Sequence, residues 1–447
     1  MAADSSQFST GKIFPMIIKF SVPAAASLLI TAIYNIVDRI FVGNYVGGTA
    51  LAALSICFPV SFMMIAFGLN CSAGGSTLFT IFRGRKKLAS ADKSFGNAAV
   101  LTIISEIFLT IVLLLFSDTF LKIFGVTPTT YDLALSYYKI VALGCVFQGL
   151  TLVFCDYVRV SGKPVLGMVV TGIGAVVNII FDYVFVAVLG WGVEGAAVAT
   201  VMGQIVSTIF GAGIIFTGHS LVKIDKNIFL LNKKISVEII RCGFAFWIAQ
   251  MAMGFISLFY NSQLGKYGGD IAISVYAVVS SIMTFVIMPA SGISQGIQPI
   301  IGYNYSTKNG ARVVKTMELA SYLSVGITFV IWLIVQIFPQ WIITLFGGDR
   351  ELLAIGVSAL RINFIITPTL GFIMLCTTFF QSLGKPNASI VISIIRQIAA
   401  LVPFIYILPK FMGVNGIFWA QPVSDMIALI LCIFLLKKEA EFLKNRL

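Results

Sequence analysis

The 447-residue chain is 58% apolar and only 11% charged, with a mean hydropathy of +0.99. Because soluble proteins carry charge on about a quarter of their residues, too few charged groups are present to cover water-soluble domains. The single histidine and seven cysteines without a CxxC pair leave almost no material for a histidine-based metal site, a Ser-His-Asp triad or a disulfide framework. The composition indicates an all-α polytopic membrane protein and argues against an enzyme.

Apolar runs between polar breaks predict twelve helices, enough to cross a bilayer roughly 30 Å thick twelve times. In chain order, helices 1 to 12 are expected at residues 13–41, 51–80, 95–117, 132–157, 165–189, 194–217, 236–262, 272–303, 314–338, 352–381, 388–409 and 413–436.

Lysine and arginine are distributed unevenly between the ends of these helices. Of the 30 basic residues, 23 lie on the side of the termini and of the loops after helices 2, 4, 6, 8 and 10, against 7 on the opposite side. The positive-inside rule therefore predicts a multi-pass plasma-membrane protein with both termini in the cytoplasm. The net charge of +12 is explained by these loops, so no nucleic-acid partner is expected.

The chain matches itself at an offset of 222 residues. GNYVGG at 43–48 aligns with GKYGGD at 265–270, and GKP at 162–164 aligns with GKP at 384–386. Each copy holds six helices, an even number, so the two copies have the same orientation and are parallel repeats.

The repeat predicts an N-lobe at residues 1–218, a cytoplasmic linker at 219–235 and a C-lobe at 236–447. Transporters built in this way bind substrate between the halves and rock them to alternate access. A channel or membrane enzyme that carries an ancient duplication is the alternative.

Acids inside apolar spans are costly and indicate function by default. Asp38 in helix 1 and Asp182 in helix 5 are expected in the outer half of the membrane, with Asn178 on the same face as Asp182 and Thr200 of helix 6 at the same depth. These oxygen ligands suit Na⁺, and without Na⁺ the two carboxylates would share a proton. The alternative is a surface ion pair between Asp38 and Arg39, with Asp182 as an interfacial cap.

Asp38 and Asp182 have no acidic counterpart in the second repeat. At the offset of 222 residues the two acids align with Tyr260 and Phe404, so ion coupling is predicted for the first lobe alone.

Glu106 in helix 3 has no visible partner. Asp425 in helix 12 is expected to bond to Ser424 or to a neighbouring helix.

Other features of the spans concern bending and substrate contact. Pro23 in helix 1 removes a backbone hydrogen bond, so it predicts either a kink that responds to protonation of Asp38 or a static packing kink. Met251 and Met283, together with a minority of the 38 phenylalanines, are candidates for an adaptable surface that binds flat hydrophobic cations.

Several of these features occur together in one known family. Pro23, Asp38 followed by FVG, the NxxxD motif at 178–182, Thr200 and the two six-helix repeats resemble the multidrug and toxic compound extrusion (MATE) family. The stretch GISQGIQPIIGYNY at 292–305 is similar to bacterial drug-exporting members.

The resemblance implies a V-shaped, twelve-helix exporter that exchanges organic cations for Na⁺ or H⁺ and needs no other cofactor. The four residues of the first lobe would form its cation site, with Tyr34 and either Tyr137 or Tyr138 nearby along the substrate path. Gln250, a candidate substrate contact, stands in helix 7, in which one branch of the family places an acid, so no C-lobe cation site is expected.

The sequence thus predicts a secondary antiporter for small amphipathic cations, resident in the lipid bilayer and monomeric. The alternative is a flippase for lipid-linked oligosaccharides, which would favour a cationic cavity and additional helices. No GxxxxGK[ST] motif is present, so ATP is not expected to drive transport directly.

Overall fold

The computed structural model describes Phe8, residues 11–344 and residues 350–446, and within these ranges the regular structure is helical, without a β-strand. Ten helices in the described residues are long and apolar enough to cross a bilayer. Two further pairs of helices pass the same test together, although each pair bends by 46°. When each bent pair is counted as one span, the total is the twelve predicted from the sequence, and the all-α polytopic fold is confirmed.

We label the spans in chain order. They are α1 Ile13–Tyr45, α2 Thr49–Gly84, α3 Leu88–Leu115, α4 Tyr131–Leu143 with Cys145–Val160, α5 Pro164–Val188, α6 Gly192–Phe216, α7 Lys233–Gly269, α8 Ile271–Ser306, α9 Gly310–Ile337, α10 Leu353–Asn363 with Thr367–Ser382, α11 Pro386–Met412 and α12 Val414–Phe442. Shorter helices at Ser117–Ile123, Lys226–Phe229 and Pro339–Thr344 lie between spans.

Several helices extend beyond the apolar runs that predicted them. α3 begins at Leu88 instead of residue 95, and the helix that contains α12 continues to Arg446. Polar residues still complete a helical hydrogen-bond ladder outside the hydrocarbon, so hydropathy alone misplaces such ends. The predicted loop between helices 7 and 8 is reduced to the break at Gly269, whose φ of 65° and ψ of −162° favour glycine.

Two spans contain a π-helical turn. One covers Tyr183–Val188 in α5 and directly follows Asp182, and the other covers Ile395–Ala400 in α11. A π turn shifts the register of the side chains around it and is frequent at functional sites. Both turns lie beside the polar residues described below.

The chain divides into two compact units. The first contains residues 26–254, and the second contains residues 12–25 with the described residues of 255–447. Packing thus groups the start of α7 with the first repeat and the start of α1 with the second. The lobe boundaries predicted from the repeat stay a prediction.

Each unit contains a tight helix crossing at equivalent positions of the repeat. In the first unit, a Cβ atom built on Gly243 of α7 would lie 1.8 Å from the carbonyl oxygen of Asn70 on α2. In the second unit, a Cβ atom on Gly296 of α8 would lie 2.7 Å from the backbone nitrogen of Ser21 on α1. Gly243 and Gly296 follow Ser21 and Gly74 by the same 222 residues that relate the repeats.

The predicted linker is docked on the first unit by polar side chains. Asn97, which is fully buried, donates through its amide to the carbonyl oxygens of Ile228 and Leu230 and accepts from the backbone N–H of Asn232 at 2.7 Å. Asp92 accepts from the backbone N–H of Lys223 at 3.1 Å. These bonds satisfy the linker's backbone groups, so this segment forms part of the first unit.

The α2–α7 crossing predicts the effect of adding one methyl group. Gly243→Ala places its Cβ against the α2 backbone and is expected to lower the free energy of unfolding in detergent by about 1–3 kcal/mol. The matched control is Gly213→Ala on α6, where the Cβ atom would meet nothing within 4 Å. That change is expected to be neutral or to stabilise by roughly 0.5–1 kcal/mol. Equal stability of the two variants would contradict the crossing.

Candidate functional site

Three polar residues from α1 and α5 come together inside the first unit. Asp38, Asn178 and Asp182 expose only 6%, 2% and 0% of their surfaces. Asn178 and Asp182 are four residues apart on α5 and therefore share one helix face. Asp182 is the last residue before the π turn. The two acids of the predicted site are therefore buried and face one another.

Among the described residues neither acid of this cluster forms an ion pair, and Arg39 acts on Asp38 only through a longer-range electrostatic interaction. The carboxyl groups of Asp38 and Asp182 are close enough to interact electrostatically. Oδ1 of Asp38, both carboxyl oxygens of Asp182 and both polar atoms of Asn178 are buried without a hydrogen-bond partner among the described residues. Two unit charges 4 Å apart repel by about 4 kcal/mol even at an effective dielectric of 20. The cluster therefore needs a proton or a small cation.

The alternative interpretation of these acids does not fit the geometry. The guanidinium carbon of Arg39 lies 4.2 Å from the ring centroid of Phe58 on α2, and no ion pair with Asp38 forms in the described part of the chain. Asp182 is fully buried and makes no capping bond at the end of its helix. The pair thus lies inside the unit and is not a surface feature.

Close packing between α5 and α6 fixes the wall that carries Asp182. A Cβ atom on Gly203 would lie 2.7 Å from the carbonyl oxygen of Gly174 and 3.1 Å from Cβ of Asn178. Thr200 is half-buried and precedes Gly203 by three residues, which is about one turn. Since α5 and α6 follow each other through one tight connection and run antiparallel, this turn leads towards the level of Asp182. The place of Thr200 in the site stays a prediction.

The two neighbouring tyrosines of α4 have different environments. Tyr137 is half-buried and lies within electrostatic range of Asp38, Tyr34 and Asp182. Tyr138 is fully buried, and its hydroxyl donates to the carbonyl oxygen of Leu113 on α3 at 2.9 Å. Tyr34 is half-buried one turn before Asp38. Of the sequence alternatives, Tyr137 faces the acids and Tyr138 joins α3 to α4.

An apolar cluster covers the acids on the side of the carboxyl end of α1. It consists of Val42, Ala50, Leu54, Val186, Val193 and Ala196, with Phe41, Val46, Leu133 and Tyr137 packed against it. Phe41 also contacts Tyr183 of the π turn edge-on, at a centroid distance of 6.4 Å. Because five spans contribute to this cluster, water is excluded from the acids on this side.

The remaining predicted residues are spread over both units. Gln250 and Met251 of α7 are half-buried in the first unit, and Met283 of α8 is half-buried in the second. Pro23 is buried, and α1 remains one helix from Ile13 to Tyr45 across it. These positions stay predictions as substrate contacts and as a hinge.

The second unit has no acid where the first has Asp38. The equivalent residue, Tyr260, is 2% exposed and stacks on Tyr276 with centroids 4.5 Å apart. Its hydroxyl lies within electrostatic range of Asp425. The position is therefore occupied by a packed aromatic pair.

Asp425 itself forms an ion pair with a neighbouring helix. Arg396 donates through Nε to Oδ1 of Asp425 at 2.6 Å, and Gln421 donates to the same oxygen at 3.0 Å. Arg396 belongs to the π turn of α11, and its carbonyl oxygen accepts from the hydroxyl of Ser424. Of the two sequence alternatives for Asp425, the bond to a neighbouring helix is the one that forms. The pair could not be found from hydropathy, because Arg396 and Asp425 lie in different apolar spans.

Comparisons with known proteins agree with this architecture. The sequence model of the MatE family matches two segments of equal length, residues 23–184 and 246–407. The multidrug export protein MepA of Staphylococcus aureus is 24% identical over 439 residues, which cover 96% of this chain and 95% of MepA.

Two solved structures align with the chain at a TM-score of 0.92 and 24% identity, each over 99% of both chains. One is the outward-facing conformation of a multidrug resistance MATE family transporter. The other is a MOP superfamily transporter from Pyrococcus furiosus, described as having a binding pocket of reverse polarity. This likeness shows the fold.

The ion pair of the second unit predicts a large effect on stability. Asp425→Asn leaves the mostly buried guanidinium of Arg396 without a counter-ion and is expected to cost about 3 kcal/mol in the free energy of unfolding. The control is Glu318→Gln, which breaks the exposed Lys315–Glu318 pair, where the side chains are 52% and 44% exposed. That loss should stay below about 1 kcal/mol. Denaturant titration in detergent measures both, and a similar loss in each would contradict the assignment.

Proposed function

Because the chain belongs to the MatE family, we propose that it is a secondary active exporter of amphipathic cationic drugs, driven by inward movement of Na⁺ or H⁺. The chain is a multi-pass membrane transporter and not an enzyme. Its similarity to MepA over nearly the whole length of both proteins supports drugs as the substrate class.

The observation that carries the coupling proposal is the buried pair of Asp38 and Asp182. The pair is stable only when a proton or a small cation neutralises it, because the low-dielectric interior does not screen the two charges. Na⁺ would be held by oxygen atoms of Asp38, Asp182 and Asn178, with the hydroxyl of Thr200 as a fourth ligand. A proton would be shared between the two carboxyl groups.

Occupancy of this pair would set which access state is favoured. A ligand shifts a conformational equilibrium only by its difference in affinity for the two states, and each tenfold difference is worth about 1.4 kcal/mol. A cation that binds the buried pair more tightly than a hydrated pair stabilises the closed form of the site. Release of the cation leaves repelling charges, which favours entry of water and separation of α1 from α5.

The packing of the first unit supports a mechanism in which α5 and α6 stay fixed and α1 moves. Asn178, Asp182 and Thr200 lie on α5 and α6, whose backbones meet at Gly174 and Gly203 without room for a side chain. Asp38 lies on α1, which contacts α5 through side chains such as Phe41 against Tyr183. We therefore assign the movement to α1. Tyr34 and Tyr137 are the side chains that would transmit this movement towards the substrate.

The distribution of basic residues supports an orientation with both termini in the cytoplasm and the apolar cover of the acids towards the outside. In this orientation an inward gradient of Na⁺ or H⁺ supplies the driving force for export. The lipid bilayer and small amphipathic molecules are the partners required.

Neutralising either acid is expected to abolish export. Asp38→Asn and Asp182→Asn each remove the charge change on which coupling depends, so ethidium efflux from cells should fall at least tenfold while the protein still inserts. Asp132→Asn, an exposed acid of the first unit, is the control and should export normally. Near-normal efflux by both pocket variants would exclude the mechanism.

Separate ion gradients are expected to identify the coupling ion. In proteoliposomes, either a sodium gradient alone or a pH gradient alone should drive ethidium transport, and the Asp38→Asn/Asp182→Asn double variant should respond to neither. Transport by the double variant under the same gradient would refute coupling through this pair. If neither gradient drives the wild-type protein, the lipid-flippase alternative would become the better interpretation.

A further inference from the structure

A third acid of the first unit, Glu106 on α3, is buried apart from the pair described above. It is 0% exposed, and neither carboxyl oxygen has a hydrogen-bond partner among the described residues. Tyr138, next to the Tyr137 that faces the pair, contacts Leu113 of α3, which is seven residues or about 10 Å along that helix from Glu106. Glu106 therefore lies at a different depth from Asp38 and Asp182.

Two glycines on the neighbouring helices make room for this carboxyl group. A Cβ atom on Gly149 of α4 would lie 2.8 Å from Oε1 of Glu106 and 2.9 Å from its Cγ. A Cβ atom on Gly68 of α2 would lie 3.3 Å from the same oxygen. Any larger residue at Gly149 would displace the acid, so α2 and α4 form a cradle fitted to it.

Within the part of the chain that the structure describes, no ion pair neutralises Glu106. The titratable groups within electrostatic range of it in the described chain are the thiols of Cys71 on α2 and Cys145 on α4. The hydroxyls of Thr102 and Ser105 on its own helix donate to carbonyl oxygens of α3, at 2.8 and 3.1 Å.

The ion pair on α4 joins two residues of that helix and leaves no charge available to Glu106. Arg159 binds Asp156 at 2.7 Å, and Asp156 also accepts from the hydroxyl of Ser72 on α2. Gly149 and Asp156 are seven residues apart, about 10 Å along the helix, so this arginine is committed elsewhere.

An ionised carboxylate in such a cradle would cost several kcal/mol, whereas the protonated acid carries no net charge. Na⁺ is a poor alternative, because a hard cation needs several oxygen ligands and the cradle is formed largely by glycine, thiols and committed hydroxyls. A proton is the one ligand that the geometry accommodates.

We propose that Glu106 is a second proton-binding site of the first unit, which holds its proton while the cradle is closed and releases it when the α2–α3–α4 contact admits water during exchange. This inference rests on the proposed antiport function, but it assigns a separate proton to a separate site. The protein would then move a proton through Glu106 whichever cation occupies the Asp38–Asp182 pair.

Proton release on substrate binding tests the proposal. Purified full-length protein in lightly buffered detergent, with a pH-indicator dye, is mixed with ethidium, and the protons released per protein molecule are counted. Glu106→Gln should release one proton fewer than the wild-type protein, because the amide cannot dissociate. The matched control, Glu194→Gln in the exposed first turn of α6, should release the wild-type number.

Two further variants separate the possible outcomes. Glu106→Asp keeps a carboxyl group and should restore the missing proton, which a merely structural role would not require. The Asp38→Asn/Asp182→Asn double variant should retain the proton of Glu106, and its loss of transport tests the proposed function independently.

The proposal also predicts one feature of the infrared spectrum of the resting protein. The wild-type protein should show the carbonyl stretch of a protonated carboxylic acid that Glu106→Gln lacks and Glu194→Gln retains. Wild-type proton release by Glu106→Gln, or an unchanged carboxylic-acid band, would overturn the proposal. Either result would overturn the proposal for Glu106 even if the double variant supports coupling through Asp38 and Asp182.

Discussion

An unpaired buried carboxylate is among the costliest groups in a membrane interior, and residues 26–254 of the first unit hold three acids with buried oxygens that lack a hydrogen-bond partner among the described residues. Asp38 and Asp182 face each other, and Glu106 lies alone between glycines. Each must bind a proton or a cation, or it must meet water. In the proposed mechanism this requirement alone would link ion binding to conformation, because only a neutralised acid is stable in the closed site.

Glycine packing determines where these acids lie. Gly174 and Gly203 bring α5 and α6 together so closely that the wall of the Asp38–Asp182 site is rigid, and Gly68 and Gly149 give Glu106 its space. Without a hydrophobic driving force between helices in lipid, small residues at crossings supply close van der Waals packing. The same residues that hold the helices together thus limit the size and position of the polar sites between them.

The sequence predicted the number of spans, the parallel repeat and the burial of both acids, because hydropathy and charge are strong signals in a membrane protein. It did not predict which tyrosine of α4 faces the acids, since Tyr137 and Tyr138 differ only in the direction of their side chains. The partner of Asp425 and the cradle of Glu106 depend on contacts between spans distant in sequence. Helix ends were misplaced where polar residues continue a helix beyond the apolar run.

The ion pair of Arg396 with Asp425 gives the second unit a counter-ion that never leaves. Its carboxylate is paired with a guanidinium on the π turn of α11, whereas Asp182 and Glu106 of the first unit have no hydrogen-bond partner among the described residues. If the proposed coupling is correct, a change in salt or acidity would act on the acids of the first repeat and leave the ion pair of the second unchanged. Sensitivity to the ionic medium would then belong to one half of a doubled chain, so that a single ion gradient would act on one of two similar repeats.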